Sequence, residues 1–211
     1  TGAALLLPYY AATAWYHKKL VPDLMNRDLN EILPEVEQFT MNEFIPAMNK
    51  GNSLSEADRQ SIAQTVARYS GLSKEVVLQN NLAVPTHLFW KELLRKEGFT
   101  IGRLDSRYRG IDKKDAGMSP DFNAELTTWL HAFTPPINMY LKNELGYKTD
   151  YQYNMFGPVY PWDQKNNQTG ENLNTAMAIN PYLHVLVQSG YYDGACDYFN
   201  AKYNLWQMDP A

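Results

Sequence analysis

Cysteine is almost absent from this sequence. Cys196 is the single one among 211 residues, so no disulfide can form within the chain. Secreted eukaryotic domains of similar size lean on such bridges, and a lone thiol fits a bacterial protein better. An excess of positive charge is also lacking: 19 Lys and Arg stand against 23 Asp and Glu, a formal net charge of −4. That balance offers no field to a nucleic-acid backbone. No apolar run approaches the ~20 residues of a membrane span. The opening Thr1-Gly-Ala-Ala-Leu-Leu-Leu-Pro8 has no basic flank and ends too soon for a signal peptide. It has no initiator Met either, and the expectation is a chain cut from something longer. G-x-S-x-G, the phosphate-binding and dinucleotide-binding glycine motifs and H-E-x-x-H are all missing. His17, His87, His131 and His184 are isolated from one another, so neither a metal site nor any cofactor is expected.

What the chain has is apolar and aromatic content. Apolar residues make up 45%, and 15 Tyr accompany 8 Phe and 5 Trp, enough to bury a core. The first half reads as short helices. One runs from Ala11 to Leu20 with His17, Lys18 and Lys19 at its C-terminal end, stopped by Pro22. The next spans Leu33 to Met48, with Val36, Thr40, Phe44 and Met48 on one row and Pro34 in its first turn. Ser55-Glu-Ala-Asp58 nearly forms a capping box before the Ile62, Val66 and Tyr69 stripe, and Gly71 closes that helix. Ser73 caps a helix through Asn80, and Pro85 starts another through Glu97. Together these predict a small helical subdomain.

Thr100 to Arg109 alternates, with Arg103, Asp105, Arg107 and Arg109 on one parity, which predicts an extended strand with a charged face. That cluster either binds a carboxylate through a guanidinium fork or forms a structural ion-pair network. Asp121 to Phe133 reads as a helix broken by Pro135-Pro136, with Ile137, Leu141 and Leu145 continuing the spacing. Tyr147 to Trp162 has no period and many aromatics, as in a sugar or peptide platform or a long loop packed on a larger body. Asn172 to Ile179 reads as a short helix.

His184-Val-Leu-Val187 is an apolar run of the kind buried on both faces in a parallel sheet. Asp193 lies just past it, and Cys196 to Met208 reads as a helix. Open α/β sheets keep functional groups at that edge, which makes Asp193 the leading candidate; the competing reading is a helix cap. One parallel strand cannot make a sheet, so its partners are expected outside the chain, leaving Val185 to Val187 unpaired and facing water.

Asn180-Pro-Tyr-Leu-His-Val-Leu-Val-Gln-Ser-Gly-Tyr-Tyr-Asp193 resembles the strand bearing the triad aspartate in serine carboxypeptidases of the α/β-hydrolase superfamily, in their bacterial branch. Leu7-Pro-Tyr-Tyr-Ala-Ala-Thr-Ala-Trp-Tyr-His17 resembles the segment entering that family's lid. Ala67-Arg-Tyr-Ser-Gly-Leu-Ser73 and Lys91-Glu-Leu-Leu-Arg95 resemble lid helices, and Gly102-Arg-Leu-Asp-Ser-Arg107 and Tyr160-Pro-Trp-Asp163 resemble stretches after it. The resemblance implies a mainly α chain: a helical lid subdomain plus a partial α/β-hydrolase segment with one parallel strand and its following helix. Residues 1–19 would enter from the hydrolase core, 20–110 would form the lid, and 111–211 would return to the core.

The implied activity is removal of C-terminal residues from peptides by a Ser-Asp-His triad, with peptide as substrate and no cofactor. These triad members follow the chain order Ser, Asp, His. Asp193 would be the middle one, with the nucleophile before Thr1 and the histidine after Ala211, so the chain alone would be inactive. Cys196 matches a place where the family often has a thiol near the substrate pocket. The resemblance also implies a periplasmic or secreted parent; the unpaired strand edge and the core surface that the fragment would expose lead to an expected association of copies. A non-catalytic helical module binding peptides or carbohydrates is the alternative.

Overall fold

The computed structural model describes residues 2–157, 161, 163 and 165–208. It is mainly helical, and its contacts divide the chain into two units: Thr1–Glu125 with Val187–Trp206, and Leu126–Leu186 with Gln207–Ala211.

In the first unit, helices α1 (Gly2–Leu5) and α2 (Leu7–Tyr16) open the chain. Residues Leu7 to Ala14 are all buried, with no polar face, so α2 is a central helix packed against α4 (Leu29–Phe39) and α6 (Glu56–Ser70). The short α3 (Pro22–Met25) lies between. Asp28 caps α4 by accepting from the Asn30 amide at 2.8 Å, and Leu29, Ile32, Leu33, Val36 and Phe39 form its buried stripe. Pro34 therefore sits inside this helix, four residues beyond its expected place in a first turn, and leaves the Asn30 carbonyl without its helical donor.

The helix widens to a π turn over Thr40–Phe44, where the Ile45 amide bonds back to the Thr40 carbonyl. Pro46, which brings no N–H, follows in α5 (Ile45–Lys50). Ser55 and Ser73 cap α6 and α7 (Lys74–Gln79) as the sequence predicts, accepting from Asp58 N at 3.0 Å and Val76 N at 3.3 Å. Helix α8 (Thr86–Glu92) follows. Buried Lys91 on α8 pairs with buried Asp112 at 2.5 Å and donates to the Lys114 carbonyl at 2.6 Å, fixing the segment that follows the hairpin. Helix α11 (Tyr198–Trp206) returns against α1 and α2, and Tyr198 donates to Glu37 at 3.1 Å.

Two strand expectations are corrected. Thr100 to Arg109 is a tight hairpin, with β1 (Thr100–Ile101) paired antiparallel to β2 (Arg109–Gly110). The Tyr108 amide bonds to the Asp105 carbonyl at 3.2 Å, a turn that ends the alternation of faces. Among the described residues His184 to Val187 is not a strand; Val185, Leu186 and Val187 are 42%, 80% and 47% exposed. A strand needs a neighbour to satisfy its backbone groups, and none is present here. The parallel strand expected of an α/β-hydrolase segment is thus not found among the described residues.

The second unit holds α9 (Leu126–Met139), a π turn over Tyr140–Glu144, and α10 (Thr169–Ile179). Helix α9 starts five residues later than expected, because Asp121 is held in the preceding loop. Its carboxylate accepts from Lys113 N at 2.8 Å and its amide donates to Asp112 at 3.0 Å. Pro135 and Pro136 do not break α9; the helix continues past them. They leave the His131 and Ala132 carbonyls without helical donors, and the π turn follows within a few residues. No described residue between 126 and 186 is buried. No helix of the described residues is long and apolar enough to cross a membrane.

Candidate functional site

The hairpin loop between β1 and β2 is the organising element of the site. Glu125 lies fully buried beneath it, and its carboxylate accepts from Arg103 N at 3.2 Å and Leu104 N at 2.9 Å. The backbone comes so close at Gly102 that a Cβ there would overlap the Asp105 carbonyl oxygen and Glu125 Oε2. Ser106 ties the loop to the end of α2. Its hydroxyl shares a buried hydrogen bond with Thr13 at 2.7 Å, and its carbonyl accepts from His17 Nε2 at 2.7 Å.

The same loop pins the chain on both sides of Asp193. Ser106 N donates to the Tyr192 carbonyl at 2.9 Å, and Gly194 N donates to the Arg103 carbonyl at 2.9 Å. Arg107, paired side-on with Asp105 at 2.9 and 2.7 Å, lies 5.1 Å over the Tyr192 ring. Asp193 itself is half-buried. Its Oδ1 accepts from Ala195 N at 2.8 Å and Cys196 N at 3.0 Å. Among the described residues no hydrogen bond reaches its Oδ2.

Beneath Gly194 lies an aromatic pair, buried Tyr9 and half-buried Trp90. Trp90 Nε1 donates to the Tyr9 hydroxyl at 2.9 Å, and a Cβ on Gly194 would fall 2.7 Å from Tyr9 Cζ and 2.9 Å from that indole nitrogen. Burial pushes the Tyr9 phenol well above its ordinary value, and the nearby Asp193 charge adds to the rise, so Tyr9 stays neutral. Burial also raises the Asp197 carboxyl, against bonds from Asn200 that lower it. Asp197 Oδ1 accepts from Asn200 N at 3.0 Å, so Asp197, and not Asp193, caps α11. The His17 imidazole is lowered by burial, offset in part by its bond to Ser106.

Chemically, the arrangement presents one carboxylate oxygen on a backbone fixed at both flanks. It can orient and stabilise a donor such as an imidazole N–H. It supplies no activated nucleophile: the Thr13 and Ser106 hydroxyls are buried against each other, and Tyr9 is held neutral. Cys196 is exposed and next to the Asp193 turn. Arg103, Asp105 and Arg107 come together with Asp193 through the loop, although not as a strand face. No group of three His, Cys, Asp or Glu among the described residues could hold a metal ion. In the aromatic stretch from Tyr147, residues Tyr160 and Trp162 lie outside the described residues.

Sequence reasoning did not find Tyr9, Trp90, Ser106 or Glu125. Tyr9 stood out only as part of the Leu7 to His17 resemblance and Trp90 only as a residue of the Pro85 to Glu97 helix, and nothing in the pattern marks a carboxylate that bonds amides 21 and 22 residues away. No family model, curated protein or solved structure matches the chain.

Proposed function

We propose that the chain is the lid-and-aspartate portion of a serine carboxypeptidase-like hydrolase. In that reading Asp193 orients a histidine from outside the chain and stabilises its imidazolium while a serine nucleophile attacks the peptide. The reading rests on the residue resemblance around Asp193. The observation that carries it is the mounting of Asp193: both neighbours are bonded to the hairpin loop, one oxygen is held by two amides, and Oδ2 is left without a partner. Capping alone accounts for Oδ1, since an Asp at the head of a turn accepts such amides. It does not account for the flanking clamp.

Asp193→Asn in the complete enzyme separates the two roles. Asparagine caps about as well as aspartate, so capping predicts near-normal turnover. A triad aspartate predicts a fall in kcat of roughly three to four orders of magnitude with the fold intact. Near-normal kinetics would refute the assignment.

The second reading, a non-catalytic peptide- or carbohydrate-binding module, is favoured by one feature. A cleft of about 430 Å³ in the second unit is lined by Phe133, Ile137, Tyr140, Tyr153 and Met155. Calorimetry of the chain against oligosaccharides and peptides tests it; micromolar binding lost on Tyr153→Ala would favour the module.

A further inference from the structure

The turn after α7 holds two consecutive non-glycine residues in the left-handed region, Asn81 at φ 51° and Leu82 at φ 70°. For leucine this is a costly conformation, kept only where the surroundings demand it. Leu82 is buried, and with Ala47, Met48 and Leu54 it forms the apolar floor of a cleft of about 250 Å³ between α5, α6 and this turn. Gly51, at a positive φ of 53°, lies at the rim.

Arg59 of α6 enters the same cleft with its side chain only 25% exposed. Among the described residues its guanidinium has no hydrogen-bond acceptor. Its one ionic contact among the described residues is Glu56, 4.0 Å from Nε on a carboxylate that is itself 73% exposed. Exposed pairs at that distance contribute little, so the guanidinium donors, none of them buried without a partner, stay open to water and to a ligand in the cleft. The exposed residues Asn52 and Asn81 border the cleft.

We propose that this cleft is a binding site for a small organic carboxylate with a short apolar body. The Arg59 fork matches a planar carboxylate edge-on, the side-chain amides of Asn52 and Asn81 supply further donors, and the floor takes the aliphatic part. A single arginine over an apolar floor suits one negative charge on a hydrophobic body better than a bare doubly charged anion. The site is formed by elements apart from the Asp193 clamp, so it stands or falls independently of the hydrolase reading.

The test is an amide NMR titration of the chain with N-acetyl-L-leucine, with its uncharged carboxamide, and with inorganic phosphate. The expected result is saturable shifts at Asn52, Arg59, Asn81 and Leu82 with acetyl-leucine, weakened about tenfold or more by the carboxamide and by Arg59→Gln. Arg59→Lys keeps the charge and loses the fork; it should bind between the two, and it carries the comparison if the glutamine variant does not fold. Non-saturating shifts, or equal binding by Arg59→Gln, overturn the site. Tighter saturation by phosphate than by acetyl-leucine overturns the carboxylate assignment.

Discussion

Gly194→Ala is the most direct probe of the Asp193 mounting. The added methyl carbon would lie 2.7 Å from Tyr9 Cζ and 2.9 Å from Trp90 Nε1, and closer still to the Tyr9 hydroxyl. Neither neighbour is a flexible chain end. Tyr9 is fully buried, packs on Phe89 at a centroid distance of 5.9 Å, and receives the Trp90 hydrogen bond at 2.9 Å. Overpacking of this kind costs about 1–3 kcal/mol, and loss of the indole bond adds roughly 1 kcal/mol. The sum of about 2–4 kcal/mol lowers Tm by roughly 5–15 °C for a chain of this size. The methyl can instead be accommodated by lifting the 190–197 segment, which breaks the Gly194–Arg103 bond and frees Asp193. Thermal unfolding measures the cost, and the Trp90 indole N–H resonance with hydrogen exchange at residue 194 shows which route is taken. Gly190→Ala is the control, because nothing lies within 4 Å of a Cβ there and its φ is not positive. A Gly194→Ala variant as stable as the Gly190→Ala control, with the Trp90 signal unmoved, would refute the packing argument.

Two further outcomes follow from the same loop. Glu125→Gln keeps one acceptor but turns an amide donor toward the second backbone N–H, a loss of about 1–3 kcal/mol for an unsatisfied buried group. Exchange at Arg103, Leu104, Ser106 and Gly194 should quicken while α4 and α6 stay protected, and unchanged exchange at those four would sink the idea that Glu125 supports the clamp. Burial, its largest influence, holds the folded His17 imidazole below its ordinary value, so its contribution is complete above a pH of about 6.5 and is lost as pH falls through the folded pKa. His17→Gln can still donate to Ser106, and the difference in denaturant stability between wild type and variant should change with pH only in that window; a pH-independent difference would contradict the assignment.

The local punctuation of this chain was legible in its residues. Ser55, Gly71 and Ser73 bound their helices where capping chemistry puts them, because a cap depends on groups within three or four residues. Proline was the weak guide. Pro34, Pro135 and Pro136 all lie inside helices, since α4 and α9 continue through the missing donors with a π turn after each. The alternation of Thr100 to Arg109 misled for a related reason: a turn at Asp105 folds the strand back on itself within ten residues.

The sequence by itself therefore determined the helical class, several caps, the lack of a basic field and Asp193 as the residue to watch. Tertiary structure decided how Asp193 is held. Its flanks are held by two backbone bonds, Ser106 N to the Tyr192 carbonyl and Gly194 N to the Arg103 carbonyl, supported by side-chain bonds of Thr13, Trp90 and Glu125, residues with no common period. The sequence led one to expect Val185 to Val187 to face water for want of a sheet, and they are exposed; that they form no strand was decided by the tertiary structure. A strand exists only when neighbouring chain pairs its amides and carbonyls, and apolar composition cannot supply that neighbour.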